Sequence, residues 1–160
     1  MNRVTTVGIS DMKVIRNEGQ LITYALGSCI GICLYDPEIK LASLTHIMLP
    51  EAPPAGPDQA FKYADSGIAE TLKKIQIFGG LKRRLRAKIA GGAKMFNIPG
   101  DSSFGNIGAR NIEAVVAILR REGIILIGQE VGGGTARTLL LSAETGVATI
   151  RTFGQTERNL

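Results

Sequence analysis

The sequence predicts one α+β domain, built of layered mixed or antiparallel β-sheets flanked by two main helices. Three observations predict it. Apolar–polar alternation marks short strands in both halves of the chain. Two longer segments carry apolar residues three and four apart, the period of an amphipathic helix. The chain has 160 residues, a length that suits a single domain. No repeat, low-complexity tail or linker divides it, so the domain is expected to run over 1–160.

Alternation places strands at 20–24, 29–35 and 41–48. The stretch LPEAPPAGPD then crowds prolines into a loop, because proline cannot donate to a sheet ladder. Beyond it, Phe61, Ala64, Ile68, Leu72 and Ile75 form the apolar face of a helix. That helix is expected to start near Asp58 and to stop at Gly79 and Gly80. KIAGGAKMF reads as a buried strand that runs into a tight glycine turn. GNIGARNIEAVVAILRREG is a second helix, with Ile112, Val115, Val116 and Leu119 on its apolar face and arginines in its last turn. IILIGQEV is a strand, VGGGTAR a turn, and RTLLLSAETGVATIRTF a hairpin around 144–146.

Composition limits the function classes. With 44% hydrophobic residues the chain can bury a core without a disulfide or a metal. The two cysteines, Cys29 and Cys33, sit on one strand about 13 Å apart at ~3.3 Å per residue, beyond disulfide reach. A closed zinc site needs four ligands, and there is one histidine and no Cys-x-x-Cys. Two free thiols fit a reducing compartment. The N-terminal stretch has no apolar signal-peptide core, and no apolar run is long enough to span a bilayer. A soluble, cytoplasmic protein is expected, with no membrane insertion. The net charge is +5, concentrated in LKRRLRAK at 81–88. That run has no interleaved aromatic residue and no nucleic-acid-binding motif accompanies it. It reads as a solvated loop or strand entrance rather than a nucleic-acid surface, and an acidic protein is the partner it would suit.

The chemistry concentrates in TYALGSCIGICLYD and the following SLTHIML, which hold both thiols and the single imidazole, His46. If the turn between the two strands comprises 36–39, Tyr35 pairs with Lys40, Cys33 with Ala42, Gly31 with Leu44 and Cys29 with His46. Directly opposed residues have Cβ atoms about 4.5–5.5 Å apart, close enough for a thiol–imidazole pair, whereas a slip of one residue would separate the two onto opposite faces. The other face, with Ile30, Ile32, Leu34 and Leu41, belongs to the core. An adjacent histidine can take a cysteine's proton and later deliver it to a leaving group, and an imidazolium beside the thiol would favour thiolate. Thr23 is a candidate to orient the imidazole. The glycine-bearing LGSC turn can expose Cys29 and aim backbone N–H groups at an oxyanion. The alternative is a small buried cysteine beside a hydrogen-bonded core histidine. Cys33, deeper in the strand, reads as core.

TYALGSCIGICLYD and LTHIMLP, with KYAD, KIAGGAKMF, IGARN and VGGGTARTLLLSAETGVATI in order, resemble the CheD family of chemoreceptor glutamine deamidases over nearly the whole chain. The resemblance implies a catalytic cysteine, histidine and threonine at Cys29, His46 and Thr23. It implies hydrolysis of glutamine side chains on receptor helices to glutamate through a cysteine thioester, with methylester hydrolysis as a related activity and no metal or organic cofactor. The implied fold is similar to that of cysteine-dependent glutamine deamidase toxins. Substrate contacts fall on Ser28, whose amide is a candidate oxyanion donor, and on Gly91 and Gly92. These glycine stretches lack the ending of a phosphate-binding loop; they read as tight turns that also wall the cleft. Implied partners are the cytoplasmic helices of methyl-accepting chemotaxis receptors and a CheC-type CheY phosphatase. The competing reading is a non-catalytic regulatory module that modulates that phosphatase. Two departures from the family pattern stand out: Thr45 where alanine is common, and Ala136 where a second glycine is expected.

Overall fold

The structure, a computed structural model, describes residues 3–95 and 106–160. Two expected motifs reach beyond them: Phe96 of KIAGGAKMF and Gly105 at the start of the second helix lie outside the described residues. Ten strands and two α-helices are present among those described: β1 (Val4–Thr6), β2 (Asp11–Arg16), β3 (Gln20–Leu26), β4 (Ile30–Asp36), β5 (Leu41–Ile47), α1 (Ala64–Ile77), β6 (Arg86–Gly91), α2 (Ile107–Arg121), β7 (Ile125–Val131), β8 (Arg137–Ser142), β9 (Ala148–Arg151) and β10 (Arg158–Asn159). They form two mixed five-stranded sheets, β1-β3-β8-β9-β10 and β2-β5-β4-β6-β7.

The layers follow from the alternation of β4 and β5. Ile30, Ile32, Leu34, Leu41 and Ile47 point to the helices, where they meet Ala64, Ile68 and Ile75 of α1 and Val115, Ile118 and Leu119 of α2. Each such aliphatic side chain, fully buried, contributes about 1.5–3 kcal/mol. The other face carries Cys33, Ala42 and Leu44, which pack on Leu21, Leu26, Leu139, Leu141 and Ile150 of the second sheet. The order is therefore helices, sheet, sheet, and the central strands are buried on both faces. Thr45 points to the helix side, where its hydroxyl bonds Thr71 Oγ1 at 2.8 Å. Thr71 in turn donates to Gly67 O. The hydroxyl that distinguishes this position from alanine is thus buried with a partner. Ala136 avoids the left-handed backbone region, so a Cβ there is tolerated.

Some boundaries differ from expectation. The first helix begins at Ala64 rather than near Asp58, because Ala60–Lys62 form a separate 3-10 turn and Tyr63 is extended. Asp58 instead accepts a hydrogen bond from the Tyr63 hydroxyl at 2.6 Å. Its end at Gly79 and Gly80 is as expected: Gly79, at φ 93°, lets the Gly80 amide return to Ile75 O at 2.9 Å.

The register between β4 and β5 also differs. Gly31, not Cys29, lies opposite His46; Cys33 faces Leu44 and Tyr35 faces Ala42. Asp36 belongs to the strand, paired with Leu41, so the turn is 37–40. The cause is the Asp36 carboxylate. It is fully buried and takes Arg84 Nε and Nη2 at 2.8–3.0 Å, with the amides of Leu81 and Glu38 at 3.1 Å. Burial pushes this carboxyl up, but the Arg84 and amide hydrogen bonds outweigh it and hold it below its usual value. The slip is two residues, an even number, so every side chain keeps its face.

The basic run is thereby accounted for as a strand entrance in which Arg84 is committed inward. Lys82 reaches Glu122 at 3.2 Å, and Lys88 donates to Gly146 O at 3.4 Å. Replacing Arg84 by alanine leaves a buried carboxylate without its counter-charge. Urea unfolding of Arg84→Ala should show a loss of about 3–5 kcal/mol at neutral pH, against less than about 0.5 kcal/mol for Arg83→Ala, an exposed surface substitution.

Candidate active site

The two sheets meet at the loop between β3 and β4, where the chain crosses from one sheet to the other. Residues 27–29 form that loop, and Cys29 sits half-buried at its end. Both cysteines are free. Cys33 is 1% exposed in the inter-sheet core, where burial pushes its thiol up to about 12. The accessible thiol is Cys29. Burial raises it too, and its own backbone amide opposes the rise.

His46, on β5, projects into the seam between the sheets and is 1% exposed. Thr23, on β3 of the opposite sheet, meets it there: Thr23 Oγ1 and His46 Nδ1 are 2.7 Å apart. The same hydroxyl donates to Val7 O at 2.8 Å. A threonine hydroxyl has one proton, and a carbonyl can only accept. With that proton given to Val7, the threonine oxygen must accept from the imidazole. The hydrogen-bond network therefore leaves Nδ1 protonated and Nε2 with its lone pair. Nε2 is buried and has no hydrogen-bond partner. Removal from water pushes His46 down to about 4, so the ring is neutral at neutral pH. The imidazolium–thiolate pairing expected from sequence is replaced by a neutral thiol and a neutral base.

Gly31 stands directly across the ladder from His46. A Cβ there would lie 2.8 Å from Leu139 Cδ2 and 3.5 Å from Thr23 Cγ2. The absent side chain leaves room for Leu139 and Leu26 of the opposite sheet, beside Thr23. Cys29 is two residues from Gly31 along the same chain, just before the ladder begins at Ile30, and so does not stand opposite His46. Between Thr23 and the loop, Ala25 adopts φ 56° where the β3–β8 register shifts. A non-glycine residue there costs on the order of 1–3 kcal/mol.

All three carbonyls of the loop are held. Gly27 O accepts from the Ala93 amide at 2.8 Å and Cys29 O from the Gly92 amide at 2.9 Å. Ser28 O accepts from Asn111 Nδ2 at 2.9 Å. Gly91 and Gly92 thus press against the backbone of the cysteine loop. Gly91 is at φ 115°, and a Cβ on it would lie 2.1 Å from Cys29 O, so glycine is required on both counts. The second glycine stretch closes behind the first, with Gly132 N on Gly91 O and Lys94 N on Gly133 O. The buried Arg137 guanidinium donates to Glu130 O and Gly132 O.

The structure thus brings Thr23, His46 and the Cys29 loop to one seam, with Ser28, Gly91 and Gly92 around the loop. Sequence reasoning missed Asn111, a fully buried side chain on α2. Its signal was a polar residue on the inward face of the helix, in line with Gly108, Val115 and Ile118. Among the described residues no cluster of three or more metal-ligating side chains occurs, and no helix is long and apolar enough to cross a membrane.

A layered α+β domain with a thiol, an imidazole and a hydroxyl gathered where its two sheets meet is the class these features define. A family model described as CheD chemotactic sensory transduction matches residues 48–152. A Clostridium botulinum (strain Alaska E43 / Type E3) protein named "Probable chemoreceptor glutamine deamidase CheD" is 45% identical over 154 residues, 96% of this chain and 95% of the relative. A Syntrophomonas wolfei protein of the same name is 43% identical over 159 residues, 99% of each chain. The "Chemoreceptor glutamine deamidase CheD" of Halalkalibacterium halodurans is 39% identical over 163 residues and the whole of both chains. The chain belongs to the CheD family. The family model begins two residues after His46, but the full-length matches extend across Thr23, Cys29 and His46.

The buried neutral imidazole has a consequence for stability. The unfolded chain binds a proton at His46 below pH 6.5, whereas the folded chain resists until about pH 4. Stability is therefore fully present above the first value and is lost as pH falls toward the second. Urea titrations should show wild type losing stability between those limits, and His46→Gln losing measurably less over the same interval.

Proposed function

We propose that this protein is a cytoplasmic, cysteine-dependent protein-glutamine deamidase, a single catalytic domain that hydrolyses glutamine side chains on the cytoplasmic helices of chemoreceptors to glutamate. The observation that carries the reading is the Val7–Thr23–His46 chain of hydrogen bonds, which leaves Nε2 a free base in the inter-sheet seam against which Cys29 also packs. The names carried by relatives across the full length support the substrate.

In this reading Cys29 Sγ attacks the side-chain amide carbon while Nε2 takes the thiol proton. The carbon–oxygen double bond opens to an oxyanion. Among the described residues the amides of Ser28 and Cys29 donate to no backbone carbonyl, and they are the donors assigned to that oxyanion. Nε2–H then protonates the departing nitrogen, which leaves as ammonia with a thioester on Cys29. Nε2 next removes a proton from water, which attacks the thioester and releases glutamate and the thiol. His46 Nε2 has no hydrogen-bond partner, so its contact with Cys29 Sγ forms on substrate binding, as catalytic hydrogen bonds commonly tighten only in the substrate complex. A glutamyl methylester would reach the same thioester with methanol leaving instead of ammonia, so methylester hydrolysis is compatible with these residues. Binding to a CheC-type CheY phosphatase completes the proposal as its regulatory side.

Incubation with a receptor cytoplasmic fragment should raise the fragment's mass by about one dalton per glutamine converted. Cys29→Ala should abolish the change, Cys33→Ala should retain it, and His46→Ala should slow it by the ~10²–10⁴-fold typical of a lost acid–base group. Free glutamine should be a poor substrate. Binding of the fragment without any mass change would mark an adaptor and refute the enzyme.

A further inference from the structure

Two of the three loop carbonyls are held by backbone amides, as in any tight turn. The third, Ser28 O, is held by a side chain from a helix 83 residues away in sequence. Asn111 Nδ2 also donates to Met48 O at 2.9 Å, two residues beyond His46. Both partners are carbonyls, so the amide nitrogen must face them and the orientation of the group is fixed. Its Oδ1 is buried with no hydrogen-bond partner. A half-paired amide on the inward face of a helix is an expensive way to fill space.

The geometry of the peptide bond shows what the expense achieves. Ser28 C=O and Cys29 N–H belong to one planar trans peptide and point in opposite directions. Anchoring the oxygen on one side fixes the N–H on the other. We infer that Asn111 is a positioning residue that locks the Ser28–Cys29 peptide plane, aiming the Cys29 amide at the oxyanion, and ties that plane to the end of the strand bearing His46. Its catalytic consequence rests on the deamidase reading; the locking of the plane does not.

The test is ¹⁵N relaxation together with kinetics on wild type, Asn111→Ala and Asn111→Ser, all as the full chain. In wild type the Cys29 amide should be rigid, with an order parameter near ~0.85, and in the variants it should fall below ~0.6. Leu26 and Ile32 should keep theirs. The kcat on a receptor fragment, expressed per titratable Cys29 thiol, should fall about 10–100-fold, below the ~10²–10³ of deleting an oxyanion donor outright. KM should change less than about twofold, because the lost interaction acts on the transition state. A Cys29 amide that stays rigid in the variants, or an unchanged kcat per thiol, overturns the inference. If wild type shows no deamidation, the proposed function fails while the relaxation data alone decide the role of Asn111. Should neither variant fold, wild type decides: the Asn111 side-chain amide protons should exchange slowly with solvent, and fast exchange overturns the inference.

Discussion

One hydrogen bond, between Thr23 on one sheet and His46 on the other, is the constraint around which the candidate site is arranged. It crosses the seam between two sheets that also meet through aliphatic packing and through the contacts of Arg137 and Arg158 with Glu130, and it sets the chemical state of the imidazole. A buried histidine with no partner would be free to rotate and to choose either tautomer. The threonine hydroxyl removes that choice because its own proton is already given to Val7 O. Burial does the rest by holding the ring neutral. The seam is therefore a place where a base is kept dry, oriented and unprotonated at the nitrogen that faces away from Thr23.

The backbone around the seam is shaped to the same end. Gly31 lets Leu139 and Leu26 of the opposing sheet pack close beside the seam, and Gly91 lets another backbone lie against the Cys29 carbonyl. These two glycines serve different needs. The first is required for space alone, and the second for both space and a left-handed backbone. Anchoring of the loop carbonyls points the thiol-bearing turn in one direction without using side chains of the turn itself. The electrostatic core at Asp36 and Arg84, at the other end of β4, fixes the ladder that decides which residue stands opposite His46. Fold and site are linked through that register.

Much of this was legible in the sequence where the signal is local. Strands expected at 29–35 and 41–48 are Ile30–Asp36 and Leu41–Ile47, because short runs with β-branched residues on either side of an Asp-Pro turn are a local signal that needs no tertiary information. Cys29 was separable from Cys33 by its place beside a glycine turn. What escaped depended on distant partners. Asp36 looks like a turn starter before a proline; its place in the strand is set by Arg84, 48 residues away, which no local pattern reveals. β2 escaped because it is a half-buried, charge-bearing edge strand held by its ladder to β5. The inward face of α2 was read from its apolar residues alone: Val115 and Leu119 are buried and Ile112 and Val116 pack against the core as expected, but Asn111 and Ile118 of the same face were left out. A polar residue in line with a core stripe carries no hydrophobic signal, and only its hydrogen bonds explain it.

The central claim is that His46 is a neutral imidazole protonated on Nδ1 and bare on Nε2. Long-range ¹H–¹⁵N correlation of the ring, in wild type and in Thr23→Val, measures it directly. The account predicts a single neutral Nδ1–H tautomer in wild type near neutral pH, and a mixture of tautomers once the threonine oxygen is gone. An imidazolium, or a ring protonated on Nε2 in the wild-type protein, would contradict it.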